Sequence, residues 1–315
     1  TICTPSRASL WTGKHLPGHG VYKLYDTLPE DEIHFSEELQ KAGYRTGLFG
    51  KLHTSGRMYE ATTRHPHDGF DEYEWALEAS IHLDSPYNGY SSWLKAHHPD
   101  FLEQFKSEGR EVLHHPEEVH FTHWAAERSV DFIRRHAGKR PFFCCMSVFD
   151  PHNPYEDYPE EMNTRVDEES IPEPLSDERK RVPDGVARER EHSYLGNFRD
   201  FSAEEVRRMR LGYYASIAFI DQEVGRVLAA LEEEGVSRDT LVIFLSDHGD
   251  MLGDHGLLVK GAFFYDPAVK VPLIIRWPNR VEAGMRVKEL VQPNDIAATI
   301  LEAAGVIEAT ENDSV

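Results

Sequence analysis

The sequence predicts an α/β protein with a mainly parallel central sheet and helices on both faces. Three observations carry that expectation. Short apolar runs of strand length alternate with segments of helical period. The helical segments lead directly into the strand runs: 34–43 into 44–50, Val119–His136 into 141–149, and Ser202–Glu234 into Thr240–Leu245. Finally, Lys51 with His53, His152, and Asp247 with His248 each follow the C-terminal end of one of those strands. Open α/β sheets gather their functional groups at such ends.

Taken in order, the chain opens on Cys3-Thr4-Pro5-Ser6-Arg7. Pro5 has a fixed φ and no N–H, so it suits a first helical turn. Ser6 to Trp11 can continue that helix and Gly13 can end it. Residues 34–43 read as a helix closed by Gly43, and 44–50 as a short buried strand. Residues 54–100, rich in His, Gly, Tyr and Pro, read as a long loop region with a helix starting near Ser91. Its aromatics Trp75, Tyr87, Tyr90 and Trp93 could stack on a sugar or aryl group, or simply pack. Val119–His136 reads as a helix with Trp124, Val130 and Ile133 on its apolar face. The strand 141–149 runs into Asp150-Pro151-His152-Asn153-Pro154-Tyr155, where two prolines exclude regular structure and place His152 on a loop.

Residues 156–200 are charged, contain prolines and offer few apolar anchors, so they read as a surface loop or insertion. Arg179-Lys180-Arg181 within it reads as a solvated face. Ser202 is a candidate N-cap, and Glu205 completes a capping box. From there to Glu234 the pattern is one long helix or a pair, with Tyr213, Ile217, Ile220, Val224, Val227, Leu228 and Leu231 as its apolar face. Thr240–Leu245 and Val271–Trp277 read as strands, and Asp295–Ala304 as the last helix. No internal repeat is present.

With 315 residues the chain can form one large α/β domain or two small ones. No run of about 18 apolar residues exists, so no membrane span is expected. A net charge of −21 disfavours non-specific nucleic-acid binding. Any site for an anionic substrate must therefore be locally basic against an acidic background. The three cysteines, Cys3, Cys144 and Cys145, make no disulfide framework. Cys144 and Cys145 lie in an apolar strand run and are expected to pack. The chain begins Thr1-Ile2, without Met or signal peptide, and reads as a fragment whose localisation is unreadable.

Cys3 admits two readings from its surroundings alone. It is a small buried residue near a helix start, or a nucleophile activated by the helix N-terminus and by Arg7 one turn on. Asp247-His248 likewise reads as a turn cap beside an exposed His, or as a pair of metal ligands.

Cys3-Thr4-Pro5-Ser6-Arg7, with Leu10-Trp11-Thr12-Gly13-Lys14, resembles the signature of the type I sulfatases. Gly50-Lys51-Leu52-His53, Asp150-Pro151-His152-Asn153-Pro154, Ser246-Asp247-His248-Gly249 and Val259-Lys260-Gly261 resemble further motifs of that family. The resemblance implies an alkaline-phosphatase-like α/β fold and sulfate-ester hydrolysis. It implies that Cys3 is oxidised to formylglycine by a formylglycine-generating enzyme, the hydrate being the nucleophile. One divalent cation is implied, Ca2+ first with Mg2+ or Mn2+ as alternatives, held by the residue at position 3, Asp247 and His248. His248 stands where Asn is common, which weakens the case for Ca2+ specifically because imidazole suits softer metals.

Lys51, His152 and Lys260 would bind the sulfate group, with Arg7 adding charge. His53 would hold a hydroxyl of the hydrate, and His152 would protonate the leaving oxygen from an unperturbed pKa near ~6.5. Asp250, Asp254 and His255 are weaker candidates for supporting or specificity roles. The implied domain spans 1–315 and lacks a first strand bearing two metal-binding aspartates, and also C-terminal sequence. Phosphonate monoester or phosphodiester hydrolysis is the neighbouring alternative. A non-catalytic domain holding sulfated glycan is the alternative of another class.

Overall fold

A computed structural model describes residues 2–109, 114–175 and 195–306. The elements that frame the site are, in order, α1 (Cys3–Thr12), α2 (Leu16–His19), α3 (Phe35–Lys41), β1 (Arg45–Gly50), α4 (Arg57–Glu60) and β2 (Glu72–Trp75). Then come α5 (Gly89–His97), α6 (Pro99–Glu108), α7 (Phe121–His136), β3 (Phe142–Ser147) and α8 (Ala203–Glu233). The chain continues through β4 (Val242–Leu245), α9 (Asp266–Val269), β5 (Leu273–Arg276) and α10 (Asp295–Ala303).

β1 is the central strand of a parallel sheet ordered β2-β1-β3. Side chains alternate across it as the two-residue period requires. Leu48, Phe143 and Cys145 face a core built with Trp11, Phe35, Leu39, Ala297 and Leu301 from α1, α3 and α10. On the other face Phe49 meets Phe132 of α7 edge-on at 5.5 Å, and Met146 packs beside Trp124 and Ala125. Helices thus cover both faces, as expected. Cys144 and Cys145 sit one on each face, and burial pushes both thiols up to about 12. They are packing residues, as the apolar run suggested.

Several expectations need correction. Residues 54–100 are not one long loop. They contain α4, β2 and α5, and α6 begins at Pro99. β2 escaped notice because Glu72-Tyr73-Glu74-Trp75 is short and half charged. Its charges are matched by cations on neighbouring elements, with Glu74 taking Arg128 of α7 at 2.8 Å. Trp75 and Tyr90 are fully buried and Trp93 is 7% exposed, while Tyr87 packs against Tyr73, so this aromatic set is core. β5 runs antiparallel to β4, in a sheet separate from the first. They are joined through residues 246–272, which carry only short helical turns, Asp254–Gly256 and α9.

α8 is one 31-residue helix, opened by the Ser202–Glu205 capping box. Its buried stripe matches the expected one only in part, with Ile220 and Leu231 buried as expected. Ala215, Phe219, Ile220 and Glu223 are buried, whereas Ile217 is 43% exposed. Small residues decide the rotation. A Cβ on Gly212 would lie 1.9 Å from the Tyr155 carbonyl oxygen, so that face is the one that can approach the 155–162 segment. Tyr158 and Met162 then close on Ala215 and Phe219. α3 ends at Lys41, two residues before Gly43. Arg179-Lys180-Arg181 lies outside the described residues.

Glu72 ties β2 to β1 and α7. Arg135 reaches it at 2.6 Å, His136 at 3.1 Å and Arg45 at 3.1 Å. Burial opposes ionisation, but these cations hold its carboxyl down at about 2, against 4.5 unperturbed. A depressed carboxyl contributes stability above its unfolded pKa and loses it as pH falls toward the folded value. Glu72→Gln is therefore expected to cost ~1–2 kcal/mol near pH 7, discounted for solvent screening. In urea melts at several pH values, the gap from wild type should close as pH falls from about 4.5 toward 2.

Candidate active site

α1 begins at Cys3 itself, so the thiol sits in the first turn at the positive end of the helix. Gly13 closes the helix in the left-handed conformation, its N–H bonding Ser9 O at 2.9 Å. Three strand ends deliver the remaining groups to Cys3. From the end of β1 come Lys51 and His53. The approach is close: Gly50 has φ +115°, and a Cβ there would lie 2.0 Å from Ser147 O. The loop after β3 brings His152, between prolines that both follow cis peptide bonds. The turn after β4 brings Asp247 and His248, and Lys260 follows in the next loop.

His248 Nε2 lies 3.0 Å from Cys3 Sγ, and Thr4 Oγ1 lies 3.2 Å from His53 Nε2. Arg7 is a strut rather than a free cation. Its Nε donates to Asp247 Oδ2 at 2.6 Å, and Nη1 donates to Lys51 O at 2.8 Å and Ser147 Oγ at 3.0 Å. Ser6 Oγ donates to Asp247 O at 2.6 Å, and Ser147 Oγ donates to Lys51 O at 2.6 Å. One helical turn therefore fixes the β1 and β4 ends together. Lys51 is 3% exposed, with its ammonium over the Phe149 ring at 5.4 Å. His152 stacks on Phe149 at 4.5 Å, places Nδ1 2.8 Å from Asn153 O, and hydrogen-bonds Lys260 Nζ through Nε2.

The electrostatics follow from this crowding. Burial alone would raise the Cys3 thiol, but Lys51, His248 and Lys260, with a hydrogen bond from His152, hold it well below its ordinary value. Burial opposes the Asp247 carboxylate too, yet Arg7, His248 and Lys51 depress it strongly. His248 is raised despite burial by Asp247 and Cys3. His53 falls to about 4, chiefly through burial. His152 is lowered by burial, with Lys260 and Lys51 adding to the effect, so the value near ~6.5 expected from sequence does not hold in this resting state. A site this cationic within a chain of charge −21 is built for an anion.

Cys3, Asp247 and His248 each offer a ligand atom within 4.8 Å of the others. His248 Nδ1 is anchored on Gly249 O at 2.8 Å, which turns Nε2 toward Cys3 and the Asp247 carboxylate. Fixing the far nitrogen in this way orients an imidazole for a metal. The residues present fit a divalent cation as one side of its coordination shell.

A nucleophile at a helix mouth, ringed by two lysines and three histidines from segments that follow three strands, defines a site for a tetrahedral oxyanion. The chain belongs to the sulfatase family, whose model matches residues 1–306. It is 31% identical to an arylsulfatase of Clostridium perfringens over 318 residues, covering 96% of this chain and 65% of that protein. It is 29% identical to a multifunctional alkaline phosphatase superfamily protein of Trinickia caryophylli, covering 96% of this chain and 63% of the relative. Among solved structures, the phosphonate monoester hydrolase of Silicibacter pomeroyi aligns with a TM-score of 0.76 at 28% identity, over 100% of this chain and 66% of that one. The chain thus spans about two thirds of the length of these relatives. Its fold is alkaline-phosphatase-like α/β, and the family generally uses a metal ion and a formylglycine.

The structure gathers Cys3, Arg7, Lys51, His53, His152, Asp247, His248 and Lys260 into one site. Asp250 borders it, accepting from the Tyr155 hydroxyl at 3.0 Å. Asp254 and His255 have other partners: Asp254 pairs with Arg210 at 3.3 Å, and His255 stacks on Tyr265 at 4.2 Å. Ser6, Ser147 and Glu60 were missed. Ser6 lay within the signature yet offered no chemistry of its own. Ser147 ends an apolar run and Glu60 is an isolated carboxylate, so neither carried a local signal.

Proposed function

We propose that this chain forms the catalytic centre of a sulfuric ester hydrolase acting on an aryl or carbohydrate sulfate, with formylglycine at position 3 as nucleophile. The observation that carries the reading is the convergence of Lys51, His152, Lys260 and His248 on the side chain at position 3. The arylsulfatase relative supports the sulfate ester.

Lys51 and Lys260 bind the oxygens of the sulfuryl group and stabilise the charge that grows on them. Arg7 holds Asp247 and the Lys51 carbonyl, fixing where those charges sit. His53, neutral near pH 7, hydrogen-bonds a hydroxyl at position 3. His152 donates its Nδ1 proton to Asn153 O and accepts from the Lys260 ammonium at Nε2. Burial depresses His152 most, and a bound anionic ester offsets the two lysine charges that add to it, so part of its basicity recovers as substrate arrives. The His152–Lys260 pair then delivers a proton to the leaving oxygen.

Formylglycine supplies a geminal diol whose second hydroxyl lets sulfate depart. Asp247, His248 and the position 3 side chain would hold the divalent cation, which polarises sulfuryl oxygens when bound. We favour Ca2+ for the carboxylate donor, with Mg2+ or Mn2+ as alternatives given the imidazole. A formylglycine-generating enzyme would be the maturation partner. We also infer that residues 1–315 form one catalytic domain.

A second reading, phosphonate monoester hydrolysis, draws on the TM-score of 0.76 with an enzyme of that name. Parallel kcat/KM measurements of the matured full chain on an aryl sulfate and an aryl phosphonate monoester decide between them. We expect the sulfate to be the better substrate. A phosphonate preference of ten-fold or more, about 1.4 kcal/mol, favours the second reading, and turnover of neither ester favours a binding domain.

A further inference from the structure

We propose that Glu60 is a positioning residue that holds the Lys51–His53 loop in its working shape. This rests on the reading of Lys51 and His53 given above. Glu60 closes α4 and is 3% exposed, and among the described residues no cationic side chain pairs with its carboxylate. Four donors converge on it instead. Oε2 accepts from His53 N at 2.9 Å and Trp75 Nε1 at 3.0 Å. Oε1 accepts from Ser55 N at 3.0 Å and, more weakly, from Thr54 Oγ1 at 3.5 Å. Burying a carboxylate without a countercharge is costly, so this arrangement is not neutral filler.

What the carboxylate organises is the loop. His53 has φ +60°, a left-handed conformation that a residue bearing a Cβ adopts only when its surroundings impose it. The loop is pinned at both ends of its active part. Arg7 and Ser147 bind the Lys51 carbonyl upstream, and Glu60 binds the His53 and Ser55 N–H groups downstream. Trp75 anchors the carboxylate from β2. Glu60 touches neither Cys3 nor an anion site, so it acts through His53 and Lys51.

A carboxylate is required here rather than an amide. Each oxygen accepts from at least one N–H, and an amide presents only one oxygen. Either orientation of Gln would set its NH2 group against a backbone or indole N–H. The expected result for Glu60→Gln in the full chain is a fall in kcat of ~10–100-fold, the scale of a misplaced catalytic group. The fall is measured on whichever of aryl sulfate and aryl phosphonate the wild type prefers, so a failure of the sulfatase reading shows in the wild type alone. The second readout is the His53 imidazole 15N resonance, assigned by its loss in His53→Gln, which should move in the variant. Thermal melting at the assay temperature confirms that the variant is folded. A kcat within two-fold of wild type, or an unmoved His53 resonance, overturns the proposal. Should Glu60→Gln fail to fold, Glu60→Asp decides by the same readouts. It keeps the charge but falls short of the loop, so a smaller kcat loss with a moved resonance is expected, and wild-type values overturn the proposal.

Discussion

Cys3→Ala in the matured full chain should lower kcat/KM for an aryl sulfate by ~10⁴-fold or more, because the remaining groups bind and polarise but cannot attack. Relative to the matured wild type, the substitution removes only the small aldehyde hydrate from a helix N-terminus, so thermal stability should change by only ~1 kcal/mol. A steady-state assay beside a thermal melt checks both. A variant that retains even a hundredth of wild-type turnover would mean that another residue attacks.

Arg7→Ala should act on stability and activity together. Its guanidinium joins Asp247, the Lys51 carbonyl and the Ser147 hydroxyl, and each of those contacts is largely shielded from solvent. Removal leaves a buried carboxylate without its cation, at a cost of ~3–5 kcal/mol. The strand ends carrying Lys51 and Asp247 are also released from each other, so kcat should fall by ~10²-fold or more in whatever fraction remains folded. Arg7→Lys restores a charge but not the planar fork, and should recover little. Urea unfolding and single-turnover rates measure the two effects. Unchanged stability would show that Asp247 is held by something other than Arg7.

Much of this site was legible in the chain because its chemistry lies in contiguous motifs. Cys3 to Arg7 are one helical turn, Lys51 and His53 two residues apart, and Asp247 and His248 adjacent, so local spacing already placed them. The strand-end argument located Lys51, His53 and His152 without coordinates, since the parallel β1 and β3 put their C-termini on one edge. What stayed hidden depends on burial. The pKa of His152 could not be read from Asp150-Pro151-His152, because burial and the lysines that lower it come from elsewhere in the fold. Glu60 carries no signal in the sequence, because Trp75 and the 53–55 backbone meet it only in the fold. The face of α8 was misjudged because two apolar stripes compete on it. Only close packing against Tyr155 selects the stripe containing Gly212 and Ala215. β2 was lost because its charges are satisfied across strands and helices rather than by water.

The attacking group is best tested by titrating maturation against turnover. Preparations of the full chain carrying different fractions of aldehyde at position 3, quantified by mass spectrometry of the peptide containing it, are assayed on one aryl sulfate. A rate proportional to the aldehyde fraction, falling to background at none, is the predicted result. Equal turnover from chains whose position 3 is still a thiol would contradict it.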